Sequence, residues 1–189
     1  MRLVVTEFVS VDGVMQAPGG EPGYIHKGWV ADYHADPGFG EFKLKETLDA
    51  EALLIGRVTY ESFAGAWPDR DDPQGFARKM NEMPKFVVSS TLTDPEWNNT
   101  TVLEGDPMEA VADLKARDGG ILLVPGSRTL VHALHEAGLV DEYRLMTFPV
   151  VLGSGFRVFP DDIETRRDVK LVDSKPLDNG TLILTYEPA

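Results

Sequence analysis

Cysteine is absent from the 189 residues. Its absence excludes disulfides and thiolate chemistry, and says little about compartment. Also missing is any apolar run approaching the roughly 20 residues of a membrane-spanning helix. The opening MRLVVTEFVSVDG is too short and too polar for a signal peptide and reads as a first strand. A cytoplasmic protein is the default expectation. Positive charge is scarce: 18 Lys+Arg stand against 31 Asp+Glu, a formal net charge of −13. Such a surface repels nucleic acid and anionic membranes, so neither is expected as a partner. Any anion site must then be built locally, which makes arginines beside glycines and serines the informative residues. Repeats and low-complexity tracts are lacking too, and the length suits one domain over 1–189.

What is present centres on residues Gly119 to Phe159. Ile121 to Val124 is a short apolar run beside glycines, the pattern of a buried strand. Pro125-Gly126-Ser127 then turns the chain. Leu130, Leu134, His135 and Leu139 recur at helical spacing, with Gly138 as a stop signal. A second strand is predicted over Glu142 to Leu152. A small-residue turn between a strand and a helix offers free N–H groups at a positive helix end, suited to a phosphate. An ordinary tight turn has the same composition, and the turn alone does not choose between them.

Around this unit, Arg2 to Val11 reads as a strand ending in Asp12-Gly13. That pair is a turn signal, or a carboxylate facing a cleft at a strand end. Gln16 to Pro37 is a long Gly/Pro-rich loop carrying Tyr24, His26, Trp29, Tyr33 and His34, of the length used by binding loops and lids. Its histidines, with Asp32 and Asp36, match no standard ligand spacing, so no metal is expected. Helices are predicted over Phe39 to Leu48, from Gly56-Arg57-Val58-Thr59 to Trp67, over Gln74 to Met83, and over Pro107 to Arg117 with Asp106 as N-cap. Strands are predicted at Ala50 to Ile55, Pro84 to Val88 and Thr101 to Leu103. Ser89-Ser90-Thr91 follows one of these and either caps a helix or bonds a phosphate or ribose. Arg166 to Ser174 and Thr181 to Tyr186 form a hairpin about Asp178-Asn179-Gly180. The alternation predicts an α/β fold whose sheet is mostly parallel with an antiparallel edge.

Three strand ends share a chemistry: Gly56-Arg57-Val58-Thr59, Ser89-Ser90-Thr91 and Gly126-Ser127-Arg128-Thr129. Strand carboxyl ends line the ligand crevice of an open α/β sheet. Two arginines and a set of hydroxyls there suit a ligand with several phosphates, and a dinucleotide with an extra 2′-phosphate best.

On these residues the chain resembles the dihydrofolate reductase-like superfamily. It is most similar to the C-terminal reductase domain of the bacterial bifunctional deaminase-reductase of riboflavin biosynthesis. The carriers are Ser10-Val11-Asp12-Gly13, Gly56-Arg57 with Thr59-Tyr60-Glu61-Ser62-Phe63, and Val87-Val88-Ser89-Ser90-Thr91-Leu92. More specific are Gly126-Ser127 with Thr129-Leu130, and Gly138-Leu139-Val140-Asp141-Glu142 leading to Pro149-Val150-Val151-Leu152-Gly153-Ser154-Gly155.

The resemblance implies a three-layer α/β/α domain and a homodimer, with some support from the apolar run Phe148 to Leu152 and the terminal hairpin. It implies an NADPH-dependent reductase, akin to 5-amino-6-(5-phosphoribosylamino)uracil reductase, passing hydride to a small heterocyclic or carbonyl substrate. By the same resemblance Arg57 and Thr59 lie on the cofactor phosphates, with Gly56 at their junction. Ser89 and Ser90, with Arg128, lie near the 2′-phosphate, and Gly126, Ser127 and Thr129 line the pyrophosphate. The nicotinamide lies beside Val11 and Thr147. Asp12 stands on the substrate side as the candidate catalytic group, orienting substrate or relaying a proton, and Tyr24 and Trp29 cover the substrate. The chain departs from the family at Pro125, where dihydrofolate reductases carry glycine before a cis bond. It departs again near Gly38, where they carry an acid, and it lacks the cysteine-bearing deaminase partner domain. The alternative reading is a non-catalytic nucleotide-binding protein that senses or sequesters.

Overall fold

Val4, Val5, Thr6 and Val9 stiffen the first strand at χ1 and suit a pleated surface. The computed structural model describes residues 1–161 and 166–189 and places that strand, β1 (Arg2–Ser10), well inside an eight-stranded sheet. The chain continues through α1 (Pro37–Asp49), β2 (Ala50–Gly56), α2 (Arg57–Ala66), α3 (Phe76–Glu82), β3 (Lys85–Val88) and β4 (Thr100–Val102). Then follow α4 (Pro107–Ala116), β5 (Ile121–Pro125), α5 (Arg128–Glu136), β6 (Glu142–Phe148), β7 (Val169–Pro176) and β8 (Leu182–Pro188). The sheet order is β4-β3-β2-β5-β1-β6-β8-β7. Every pairing from β4 to β6 is parallel; β8 pairs antiparallel with β6 and β7. This is the α/β architecture expected, with its antiparallel edge.

Alternation along β1 divides its side chains between two layers. Leu3, Val5 and Val9 pack with Val111 and Leu114 of α4 and Val131 and Leu134 of α5. Leu53, Ile55 and Val87 face the other way, onto Tyr60, Met80 and Trp97. A third cluster gathers Phe148, Met146, Trp29, Tyr24 and Val14, with Phe8, Phe39 and Phe42 against it.

β6 ends at Phe148, short of the predicted Leu152. Pro149 has no N–H to extend the ladder. The chain instead crosses over the end of β1, with Val11 donating to the carbonyl of Val150 at 3.0 Å and Met15 to that of Phe156 at 2.8 Å. β7 begins at Val169, three residues later than expected at Arg166, and runs two beyond Ser174.

A lysine lies in the core. Lys85 is fully buried, and its Nζ donates to the carbonyls of Asn81 (2.9 Å), Met83 (2.8 Å) and Asn98 (2.8 Å). It lies 4.4 Å from the centre of the Trp97 ring. Burial pulls its pKa down to about 8. The three carbonyl dipoles and the indole face act in the opposite sense and favour the ammonium. The charge ties the end of α3 to the connection between β3 and β4.

Candidate functional site

β2 ends in Gly56 and runs directly into α2, and β5 ends in Pro125, two residues before α5. Neither α2 nor α5 has a side chain capping its first N–H groups. The turn before α5 has positive φ at Gly126 (84°) and at Ser127 (77°), and all peptide bonds of the described residues are trans. Glycine adopts that conformation freely; for Ser127 it carries strain of about 1–3 kcal/mol. The two turns touch. A β-carbon at Gly56 would stand 2.4 Å from Ser127 Oγ, and one at Gly126 would stand 3.9 Å from Thr59 Oγ1. Gly56, Thr59, Gly126 and Ser127 therefore form one cradle, with two uncapped helix N-termini opening onto it. That arrangement attracts negative charge through aligned N–H dipoles, whatever the formal charge of the protein.

A cleft of about 850 Å³ adjoins it, lined by Arg57, Val88, Ser89, Ser90, Leu103 and Glu104 among others. Ser89 Oγ accepts from the N–H groups of Thr91 (3.1 Å) and Leu92 (2.9 Å), so it holds its own turn, while Ser90 is exposed. Arg57 pairs with Glu61 at 2.7 Å across one exposed helical turn. Arg128 is not in this cleft. It lines a second one, of about 630 Å³, with Thr129 and His132. Its guanidinium lies 3.8 Å from the centre of the Phe156 ring, a planar cation on an aromatic face. Arg57 with Ser89 and Ser90 is thus one group, and Arg128 with Thr129 another.

Val11 is 63% exposed at the end of β1, and Thr147 pairs with Val9 on the neighbouring strand. Asp12 beside them is fully engaged. Its carboxylate accepts from Ser10 Oγ (2.6 Å), Leu152 N (3.1 Å) and Gly153 N (2.7 Å). Arg157 donates to its backbone carbonyl. The Ser10 hydroxyl, with those amides, lowers its pKa from 3.8 to about 2. At neutral pH Asp12 is an acceptor that fixes the 149–157 segment, a positioning role, and it carries no proton to give. Asp12→Ala is expected to destabilise the fold by about 2 kcal/mol, the scale for hydrogen bonds to a charged group. Because the folded pKa is depressed, that stabilisation is complete above the unfolded pKa and is lost as pH falls through about 2. The melting-temperature gap between wild type and Asp12→Ala should therefore narrow between pH 4 and 2. A gap that holds constant would contradict the assignment.

Tyr24 and Trp29 are buried. Tyr24 Oη donates to the Ser154 carbonyl at 2.5 Å, Trp29 Nε1 to that of Gln16 at 2.9 Å, and Trp29 meets Phe148 edge-on at 5.4 Å. Both anchor the long loop in the third core cluster, while Ile25, His26 and Lys27 between them are exposed. Among the described residues no group of three or more His, Cys, Asp or Glu side chains is placed to hold a metal. No helix among them is long and apolar enough to cross a membrane.

Sequence reasoning missed a buried charged cluster beneath this face. Glu46 of α1 is buried and accepts from Lys43 Nζ (2.5 Å) and Thr6 Oγ1 (3.0 Å), with Arg144 of β6 at 3.5 Å. Glu7 on β1 lies close to this cluster. Its signal was available: an acid in the middle of the apolar run VVTEFVS.

The family model of the RibD C-terminal domain matches residues 2–183. The Bacillus subtilis (strain 168) protein YyaP, itself uncharacterised, is 26% identical over 98% of this chain and 94% of its own. A crystal structure of a provisionally assigned riboflavin biosynthesis protein from Shewanella sp. PV-4 superposes with a TM-score of 0.73 at 22% identity, covering 100% of this chain and 99% of that one. The dihydrofolate reductase of Enterococcus faecalis, solved with NADP(H) and the ligand RAB-propyl, gives 0.61 at 16% identity over 99% and 96%. Those two likenesses establish a shared dihydrofolate reductase-like fold, and the family match spans nearly all of the chain. The chain is therefore a member of the RibD C-terminal domain family.

Proposed function

We propose that this protein is an NADPH-dependent reductase that passes hydride to a small heterocyclic or carbonyl substrate. The observation that carries the reading is the contact between the Gly56 and Ser127 turns, where two uncapped helix ends meet beside a cleft holding Arg57 and Ser90. The pyrophosphate would take the cradle, and the adenosine phosphate the cleft of Arg57, Ser89 and Ser90. Arg128 and Thr129 would bound the pyrophosphate from the other side. The nicotinamide would extend toward Val11 and Thr147, over the crossover that Asp12 fixes. NADPH supplies the hydride; the protein binds it, orients it and excludes water. The engaged state of Asp12 favours a second reading, in which the pocket binds the nucleotide without turnover. A steady-state screen of carbonyl, pterin and ribosylaminouracil compounds separates the two. Substrate-dependent NADPH oxidation is the result expected, and affinity without oxidation by any compound would favour the binder.

A homodimer through the sheet edge belongs to the same proposal. β7 ends the sheet and every one of its residues is exposed, including Val169, Leu171 and Val172, with Leu182 of β8 beside them. An open strand edge with exposed Val and Leu side chains is a template for pairing with another chain, and a second copy offers the same edge. Light scattering is expected to give twice 20.8 kDa for wild type and a monomer for Leu171→Lys. A monomeric wild type at micromolar concentration would remove the claim.

A further inference from the structure

Glu7 has no part in the function proposed above. It lies mid-strand in β1, 7% exposed, and its Oε1 has no hydrogen-bond partner. β1 pairs with β5 only as far as Thr6–Pro125, whereas its pairing with β6 continues through Glu7–Leu145 to Ser10–Phe148. Glu7 is thus the first residue of β1 at which β5 has left the sheet. Continuing the Thr6–Pro125 register sets Gly126, the next residue, beside Glu7, and its N–H favours the ionised carboxylate. That N–H belongs to the turn that opens α5 and meets Gly56, so a buried carboxyl group lies against the donors an anion would use.

The two ionisation states of such a group have opposite consequences. Protonated, Glu7 is neutral and leaves the field of the α5 N-terminus free for a ligand. Ionised, it sets a full negative charge in a low-dielectric place, takes the Gly126 donor and repels a phosphate. The charged groups near it are Lys43 and Glu46 of α1, of opposite sign. Lys43 is bonded to Glu46 and Thr6, and Arg144 of β6 is shared between Glu46 and Glu142. On α5, Arg128 lies over Phe156. These neighbours largely neutralise one another, and burial dominates, raising the Glu7 pKa to about 8.

We propose that Glu7 is a charge gate on the Gly56–Ser127 cradle, which takes a phosphate-bearing ligand with Glu7 protonated and resists it with Glu7 ionised. The gate rests on the cradle's being the phosphate site of the proposed function. Ligand binding at alkaline pH then draws one proton from solvent, and affinity falls as pH rises through the pKa of the free protein.

Calorimetric titration with NADPH at pH 7 and pH 9.5 tests this on wild type, Glu7→Gln and Glu7→Leu. Wild type is expected to bind roughly thirtyfold more weakly at the higher pH, within the usual range of coupling between sites. There it should take up close to one proton per ligand, read from the heats in buffers of different ionisation enthalpy. Glu7→Gln should bind equally at both pH values and take up none. Glu7→Leu, also neutral, gives the same readout should the amide variant fail to fold. A variant that keeps the wild-type pH dependence, or a wild type that shows none, overturns the gate. Sulfate, whose charge is constant over this range, separates the gate from the dinucleotide reading through its effect on melting temperature. If NADPH binds nowhere but sulfate stabilises wild type at pH 7, less at pH 9.5, and Glu7→Gln equally at both, the gate stands and the dinucleotide reading falls. If sulfate also stabilises nothing, the gate falls with it.

Discussion

Gly56→Ala is expected to weaken dinucleotide binding roughly ten- to hundredfold while leaving the fold intact. Gly56 has φ −82° and ψ 165°, which alanine adopts without strain, so the effect is steric alone. The new methyl would stand 2.4 Å from Ser127 Oγ and 3.2 Å from its Cβ. Ser127 Oγ would have to turn away, and its Cβ, carried on backbone at positive φ at the head of α5, would have to shift. Overpacking of this kind costs about 1–3 kcal/mol, and each 1.4 kcal/mol is tenfold in affinity. The separation of the two helix ends, on which the cradle depends, is what that energy would change. Gly56→Ala/Ser127→Gly removes the obstructing side chain and should recover most of the affinity. A double variant as weak as the single one would show that contact between the turns does not shape the site.

Lys85→Met should lower stability by about 3 kcal/mol, read as a shift of the denaturant midpoint with an unchanged slope. Methionine fills a similar volume but leaves the carbonyls of Asn81, Met83 and Asn98 without their shared donor. Each buried unsatisfied acceptor costs about 1–3 kcal/mol, and relief from burying a charge offsets part of the total. Arginine has the charge, but its larger planar head cannot point one compact donor group at all three carbonyls, so Lys85→Arg should not rescue it. A neutral Lys85→Met would mean that desolvation cancels the three hydrogen bonds.

Much of this fold is legible in the residues because its signals are local. Short apolar runs with β-branched residues mark β1, β2 and β5, and Asp106-Pro107 marks the start of α4. Gly56-Arg57 and Gly126-Ser127 announce strand-to-helix junctions, and their shared chemistry foretold that they lie on one edge. Their actual contact is a tertiary fact, set by β2 and β5 being neighbours in the sheet. Arg128 shows the limit of such reading. Its place in sequence suggests the same cleft as Ser89, yet the ring of Phe156, carried in by the 149–157 crossover, draws it to another. Asp12 likewise looks like a free acid at a strand end until Leu152 and Gly153, 140 and 141 residues away, bring their amides to it. The aromatic loop reads as a binding loop or lid from its length, whereas Tyr24 and Trp29 are core residues whose polar ends bond to backbone. Glu7 and Lys85 are single charges inside apolar runs, and nothing local tells whether such a charge is buried.

The most direct test is calorimetric titration of the purified protein with NADPH and then NADH at modest salt, repeated on Arg57→Ala. Binding of NADPH well above NADH, with the difference much reduced in Arg57→Ala, is the result expected if the cradle holds the pyrophosphate and the adjoining cleft reads the 2′-phosphate. No binding of either nucleotide, or a preference that survives the loss of Arg57, would contradict it.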